Sequence, residues 1–179
     1  MTERAGVYGG SLYDLAAEEN LTETIKDQLL GLKTIFRENP EYLKLLSEPA
    51  IKKAERLDLI DKSLGESCEK YLINFIKLLC ERSLLGEFEG CVETFVKRYN
   101  ADHNIAEAVV TSAVRLNDSQ LAALKKKLEV KSGKTVYITQ KLDPKVLAGI
   151  KVELEGVQLD GTLSGRLSGI GRKLEEAVL

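Results

Sequence analysis

The sequence predicts a mainly α-helical protein: a six-helix bundle over residues 1–104, followed by a small α/β module of β-α-β-β-α type over residues 105–179. Three observations carry that expectation. Up to Tyr99, apolar residues recur at spacings of three and four, the mark of one buried face on each of a series of helices. Around Asn100-Ala-Asp-His-Asn104 the stripe is lost, which places the domain boundary there. Beyond it the period falls to two in short stretches, then returns to helical spacing at the end of the chain.

The first helix carries Tyr8, Leu12, Leu15 and Ala16 on one face, weakened by Gly9-Gly10. The second carries Leu21, Ile25, Leu29, Leu32 and Phe36, and Asn39-Pro40 ends it because a residue before Pro disfavours the helical region. Tyr42, Leu43, Leu45 and Leu46 make a short third helix. Pro49 suits the first turn of a fourth, with Ile51, Leu57, Ile60 and Leu64. Leu72, Phe75, Ile76, Leu79 and Cys80 form the fifth and most apolar helix. Phe88, Cys91, Val92, Phe95, Val96 and Tyr99 supply the stripe of the sixth.

Past the boundary, Ala108 to Val114 reads as a strand. Asn117 is placed to cap a helix with Gln120 three residues on, and Leu121, Leu124 and Leu128 give that helix its face. Ser132-Gly133-Lys134 turns the chain into a strand over Thr135 to Thr139. Asp143-Pro144 starts a short helical turn. Ile150, Val152 and Leu154 alternate, as do Val157 and Leu159 after Glu155-Gly156, which predicts a hairpin. Leu163, Leu167, Ile170 and Leu174 then share one face of a terminal helix, expected to cover the apolar side of the sheet.

Composition narrows the function classes. A chain of 179 residues with 44% apolar and 30% charged residues is globular and can bury a real core. Aromatics make up 6% and Trp is absent, which argues against a large aromatic binding platform. The net charge of −2 argues against generic polyanion binding. Residues 1–104 hold 14 Lys/Arg against 19 Asp/Glu, a net of −5; residues 105–179 hold 12 against 9, a net of +3. An acidic and a basic half suggest two domains with different partners, although chance variation of solvated faces gives the same numbers. Cys68, Cys80 and Cys91 have the spacing of neither a disulfide framework nor a zinc site and read as buried thiols in a reducing compartment. No apolar run approaches the roughly 20 residues that span a bilayer. No signal peptide is visible at Met1, so a cytosolic chain, tethered only through partners, is expected.

Candidate chemistry is sparse. His103 is the only histidine, and general acid-base work needs a positioned group that its sequence neighbours do not obviously supply, so a solvated linker residue is the reading that fits. The glycines from Gly161 to Gly171 lack the Gly-Lys-Ser/Thr of a phosphate loop, and the Leu/Ile period continues through them. Lys125, Lys126 and Lys127 fan round a helix as a solvated face. Arg166 fits either a structural pairing with Asp160 or a partner contact. Neither catalytic residue, cofactor nor metal is expected.

The order of several short pieces over nearly the whole chain is more specific than any of them. Ala148-Gly149, an alternating strand, then Asp160-Gly161-Thr162 and Arg166-Leu167 resemble the C-terminal signature of the delta subunit family of F-type ATP synthases, which includes the mitochondrial oligomycin-sensitivity-conferring protein. Tyr8-Gly-Gly-Ser-Leu-Tyr-Asp-Leu-Ala16 resembles that family's first helix and Asn74-Phe-Ile-Lys-Leu-Leu79 its central one. Val110-Thr-Ser-Ala113, Leu116-Asn-Asp-Ser-Gln120 and Leu142-Asp-Pro144 resemble its mid-chain pieces. Ala148 stands where a second Gly is common, Thr162 where Ser is common, and Glu81-Arg-Ser-Leu-Leu85 where Asn-Gly-Arg-Leu is usual.

The resemblance implies a non-catalytic stator subunit, one copy per complex, that links the catalytic head to the peripheral stalk. It implies a groove between the first and fifth helices that receives the N-terminal helix of one alpha subunit, here assigned to Tyr8, Leu12, Leu15, Ile76, Leu79 and Cys80. It also implies that the C-terminal module engages the b subunits, here through Gly149, Asp160, Gly161, Arg166, Leu167 and Ile170. The expected place is the cytoplasmic face of the cell membrane, held by the complex without direct membrane insertion and without nucleic acid. Two other classes remain open on the residues alone: a helical adaptor or nucleic-acid-binding module using the basic half, and a small nucleotide-dependent enzyme using the Gly-rich tail.

Overall fold

The computed structural model describes residues 2–65, 67–146 and 149–161. The chain is mainly helical, with a small four-stranded sheet towards its C-terminus. It divides into two compact units, Met1–Tyr99 and Asn100–Leu179.

The first unit contains α1 (Glu3–Glu18), α2 (Thr22–Glu38), α3 (Pro40–Ser47), α4 (Lys53–Leu64), α5 (Lys70–Glu81), a 3-10 turn (Leu85–Glu87) and α6 (Phe88–Asp102), whose last turn passes the division. The Thr2 hydroxyl caps α1 by accepting from the Ala5 amide at 3.2 Å. In α2 the buried set is Ile25, Leu29, Leu32 and Phe36, one stripe at helical spacing. Pro40 opens α3 at its first turn, where a missing N–H costs nothing. Pro49 does not open α4. It sits second in a turn closed by the Ile51 amide on the Glu48 carbonyl at 3.2 Å, a position its fixed φ suits equally well, and α4 begins at Lys53.

Gly9-Gly10 does not weaken the face of α1; it makes the face. A Cβ on Gly9 would lie 2.4 Å from the Cys91 carbonyl oxygen and 2.9 Å from its Cα, and a Cβ on Gly90 would lie 2.8 Å from that of Ala5. The backbones of α1 and α6 therefore meet without side chains between them. Around this crossing Tyr13 packs edge-on to Phe95, ring centres 5.2 Å apart, and Phe36 packs edge-on to Phe88 at 4.9 Å. Phe95, Ile25, Leu29, Leu46, Ile60, Leu72, Ile76 and Leu79 are fully buried. Each such side chain contributes about 1.5–3 kcal/mol relative to exposure.

The second unit is built on β1 (Ile105–Ser112), α7 (Asp118–Ser132), β2 (Thr135–Leu142), β3 (Ile150–Leu154) and β4 (Val157–Asp160), with sheet order β2-β1-β3-β4. Among the described residues the strands number four, the two expected on either side of α7 and both arms of the expected hairpin, whereas the β-α-β-β-α label counts three. β1 runs parallel to β2, with Ile105 opposite Thr135 and Ser112 opposite Leu142, and antiparallel to β3. β1 starts three residues earlier than the alternation suggested and stops before Val114, which is 72% exposed.

The capping box of α7 forms as expected. Asn117 Oδ1 accepts from the Gln120 amide at 2.8 Å and Gln120 Oε1 from the Asn117 amide at 3.0 Å. Gly133, at φ +70°, closes the helix in the left-handed conformation. The β3–β4 turn has positive φ at both central residues, Glu155 (49°) and Gly156 (83°), the condition for a two-residue hairpin that follows the strand twist. Ala106, Ala108, Val110, Val136 and Val152 on one sheet face pack with Leu128 of α7, joined by half-buried Leu124 and Leu116. Among the described residues the cover of the apolar face is α7; the predicted terminal helix lies outside them.

Candidate partner-binding surfaces

No group of three or more His, Cys, Asp or Glu side chains among the described residues could hold a metal ion, and no described helix is long and apolar enough to cross a membrane. His103 is exposed. Cys80 and Cys91 are buried, but Cys68 is only half-buried, so the expectation of three buried thiols is corrected there. Burial pushes all three thiols up, Cys91 to about 11, which disfavours the thiolate that nucleophilic chemistry needs. Lys125 is half-buried rather than fully solvated: its ammonium lies 3.8 Å from Glu129 and 5.6 Å from the centre of the Tyr137 ring.

The first unit carries an open apolar groove of about 250 Å³ between α1 and α5. One wall is Tyr8, Ser11, Leu12 and Leu15; the other is Tyr71, Asn74, Phe75 and Leu78. Each wall is one helical stripe at i, i+3, i+4, i+7. Leu12 (4% exposed) and Phe75 (6%) form the floor, while Leu15 (36%) and Leu78 (39%) stand at the rim as large apolar groups in water. The Tyr71 phenol lies beside the Glu19 carboxylate, whose negative charge holds it above the ordinary tyrosine range. Because Tyr71 is in the first turn of α5 and Glu19 caps the end of α1, the two helices run antiparallel.

Of the residues assigned to the groove, Tyr8, Leu12 and Leu15 line it, and Ile76, Leu79 and Cys80 do not. Ile76 and Leu79 are 0% exposed and Cys80 1%. They face the core, where the Cys80 thiol donates to the Leu46 carbonyl at 3.4 Å. The α5 wall consists instead of Tyr71, Asn74, Phe75 and Leu78, and of these only Phe75 stood on the predicted apolar face of that helix. α5 is apolar over more than one stripe, and the sequence does not say which part of a wide arc meets neighbours. The available signal was that the groove stripe mixes Tyr and Asn with its apolar residues, whereas the core stripe is purely apolar.

In the second unit an open groove of about 550 Å³ lies on the sheet face opposite α7. Val109 and Thr111 of β1, Lys141 of β2, Lys151 and Glu153 of β3, and Gln158 and Asp160 of β4 contribute to it. These positions alternate with the core residues along each strand, as the pleat requires. Gly149, Asp160 and Gly161 converge at one end of the hairpin. Gly149 precedes β3 at φ +104°, Asp160 pairs in register with Lys151, and the Gly161 amide donates to the Ile150 carbonyl at 2.9 Å. A Cβ on Gly161 would lie 3.1 Å from that carbonyl oxygen. Arg166, Leu167 and Ile170 lie outside the described residues, and with them any pairing of Arg166 with Asp160.

Comparison with known proteins adds to this geometry. The family model "ATP synthase delta (OSCP) subunit" matches residues 5–174. ATP synthase subunit delta of Synechocystis sp. is 30% identical over 172 residues, covering 96% of this chain and 93% of that one. ATP synthase subunit delta of Exiguobacterium sibiricum is 30% identical over 173 residues, covering 97% of each. A chain of the cryo-EM structure of the Toxoplasma gondii mitochondrial ATP synthase hexamer is similar in fold, with a TM-score of 0.75 at 14% identity over 97% of this chain and 98% of that one.

Proposed function

The chain belongs to the ATP synthase delta (OSCP) subunit family, a non-catalytic structural subunit of ATP synthase, and on that premise we propose that it is the stator element joining the catalytic head to the peripheral stalk. In this reading residues 1–104 form a six-helix bundle that grips the head, and the α1/α5 groove takes the N-terminal helix of one alpha subunit. Residues 105–179 form the module that engages the b subunits, with the Gly149, Asp160 and Gly161 end of the hairpin as part of that contact. One copy serves each complex, held at the cytoplasmic face of the cell membrane through its partners.

The observation that carries the reading is the groove. Leu15 and Leu78 leave more than a third of their surface in water on either side of an apolar floor, and an amphipathic helix laid between them would cover both. A stator must hold against torque, and apolar helix docking meets that demand better than exposed ion pairs, which contribute roughly 0–1 kcal/mol each and are screened by salt. The test is co-purification of the tagged full chain from its host. Head and stalk subunits should come with the wild type, and Leu78→Asp should lose the head while keeping its own melting temperature. Recovery of the head by Leu78→Asp at the wild-type level would refute the groove as the docking site.

A further inference from the structure

The groove is not electrically uniform along its length, and its charges follow the two stripes that line it. One turn beyond Leu15, the α1 stripe continues to Glu18 and Glu19; one turn before Tyr8, it begins at Arg4. One turn beyond Leu78, the α5 stripe continues to Glu81 and Arg82. All five side chains are exposed. Since α1 and α5 run antiparallel, Glu18 and Glu19 mark one end, and Arg4, Glu81 and Arg82 the other. At the second end the Glu81 carboxylate is answered by the Lys53 ammonium at 3.1 Å. At the first, the Glu19 carboxylate lies beside the phenol of Tyr71, a residue of the groove wall.

Two physical arguments give this pattern weight. The macrodipoles of antiparallel helices oppose each other at each end, so side-chain charge rather than backbone charge sets the sign there. Fourteen residues of α1 separate Arg4 from Glu18, about 21 Å at 1.5 Å per residue. That exceeds the Debye length of about 10 Å at 0.1 M salt, so the two ends act on a bound helix independently.

We propose that the groove receives its helix in one direction set by charge: a cationic turn of the partner lies beside Glu18 and Glu19, and an anionic turn beside Arg4 and Arg82. This rests on the groove being the docking site. The partner it fits is an amphipathic helix of at least four turns, apolar along one face and oppositely charged at its two ends.

The test uses the full chain and three synthetic 18-residue helices with the same leucine face. One ends in lysines at its C-terminal turn and glutamates at its N-terminal turn, the second has these charges exchanged, and the third has glutamines at both ends. At low salt the double variant Glu18→Lys/Glu19→Lys should weaken the two charged peptides about tenfold and the glutamine peptide less than twofold. A nitroxide on the lysine end should broaden NMR signals of Tyr71 rather than Tyr8 for both charged peptides, so exchanging the charges reverses the bound direction. The same fold-loss for all three peptides on going to the double variant, or broadening at both ends, would overturn the inference. Leu78→Asp should weaken all three peptides; unchanged binding of all three to that variant would overturn the groove reading itself.

Discussion

The two units reach stability by different routes. Among the described residues the core of the first unit draws on Phe36, Phe75, Phe88 and Phe95, with Tyr13 and Tyr99, while that of the second consists of Ala106, Ala108, Val110, Leu128, Val136 and Val152 with no aromatic ring. The first unit interlocks backbones at Gly9 and Gly90, so its helices approach closely and large side chains fill the remaining space. In the second, small residues on the pleat let one helix, α7, lie on the sheet. A thick core tolerates an open apolar groove on its outside, because the groove stripe is backed by a second stripe that holds the helix in place. A thin core has no such reserve, and its free sheet face is correspondingly polar, with Lys141, Lys151, Glu153, Gln158 and Asp160.

The largest effect separates the two stripes of α5. Leu79→Asp places an unpaired carboxylate in a fully buried site, and denaturant unfolding should show a loss above about 4 kcal/mol. Its neighbour Leu78→Asp should stay within about 0.5 kcal/mol of wild type. A similar loss for both would mean that α5 has one buried stripe rather than two. Next comes the helix interlock: Gly9→Val forces α1 off the Cys91 backbone and should cost about 1–3 kcal/mol, whereas Gly31→Ala on α2, where an added Cβ meets nothing within 4 Å, should be neutral or slightly stabilising. In the second unit, Val136→Ala should cost about 1–2.5 kcal/mol, less than the 3–5 kcal/mol of Phe95→Ala in the first. Equal losses would contradict the contrast between thick and thin cores.

The smallest effect concerns Cys91. Its thiol ionises at about 11 in the folded protein and near 9 when unfolded, so the folded state holds its proton more tightly. The contribution is fully present below pH 9 and is lost as pH rises from 9 towards 11. Cys91→Ala should flatten that part of the stability profile measured by urea titration. At pH 8 a thiol reagent should label Cys68 before Cys80 or Cys91 in the native protein. Equal rates for all three would show that the first unit opens as readily as its surface exchanges.

Much of this was legible in the residues. Period-3.6 stripes located the helices of the first unit, and in α2 even the buried set Ile25, Leu29, Leu32 and Phe36 followed from spacing, because a helix with one apolar stripe has only one way to face a core. The Asn117–Gln120 cap and the Glu155-Gly156 turn are local, so local sequence determined them. The family, too, was readable from the order of short motifs. What only the tertiary structure decided was allocation. Gly9-Gly10 read as a flaw until α6 was seen lying against it. Ile76, Leu79 and Cys80 read as groove until Leu46 and the other core residues were seen to bury them, leaving Tyr71, Asn74, Phe75 and Leu78 as the wall. An apolar side chain has the same sequence signal whether its neighbour is its own core or another protein, since transfer from water favours both. Which of the two it meets is set by distant segments of the chain, and those are fixed only when the chain has folded.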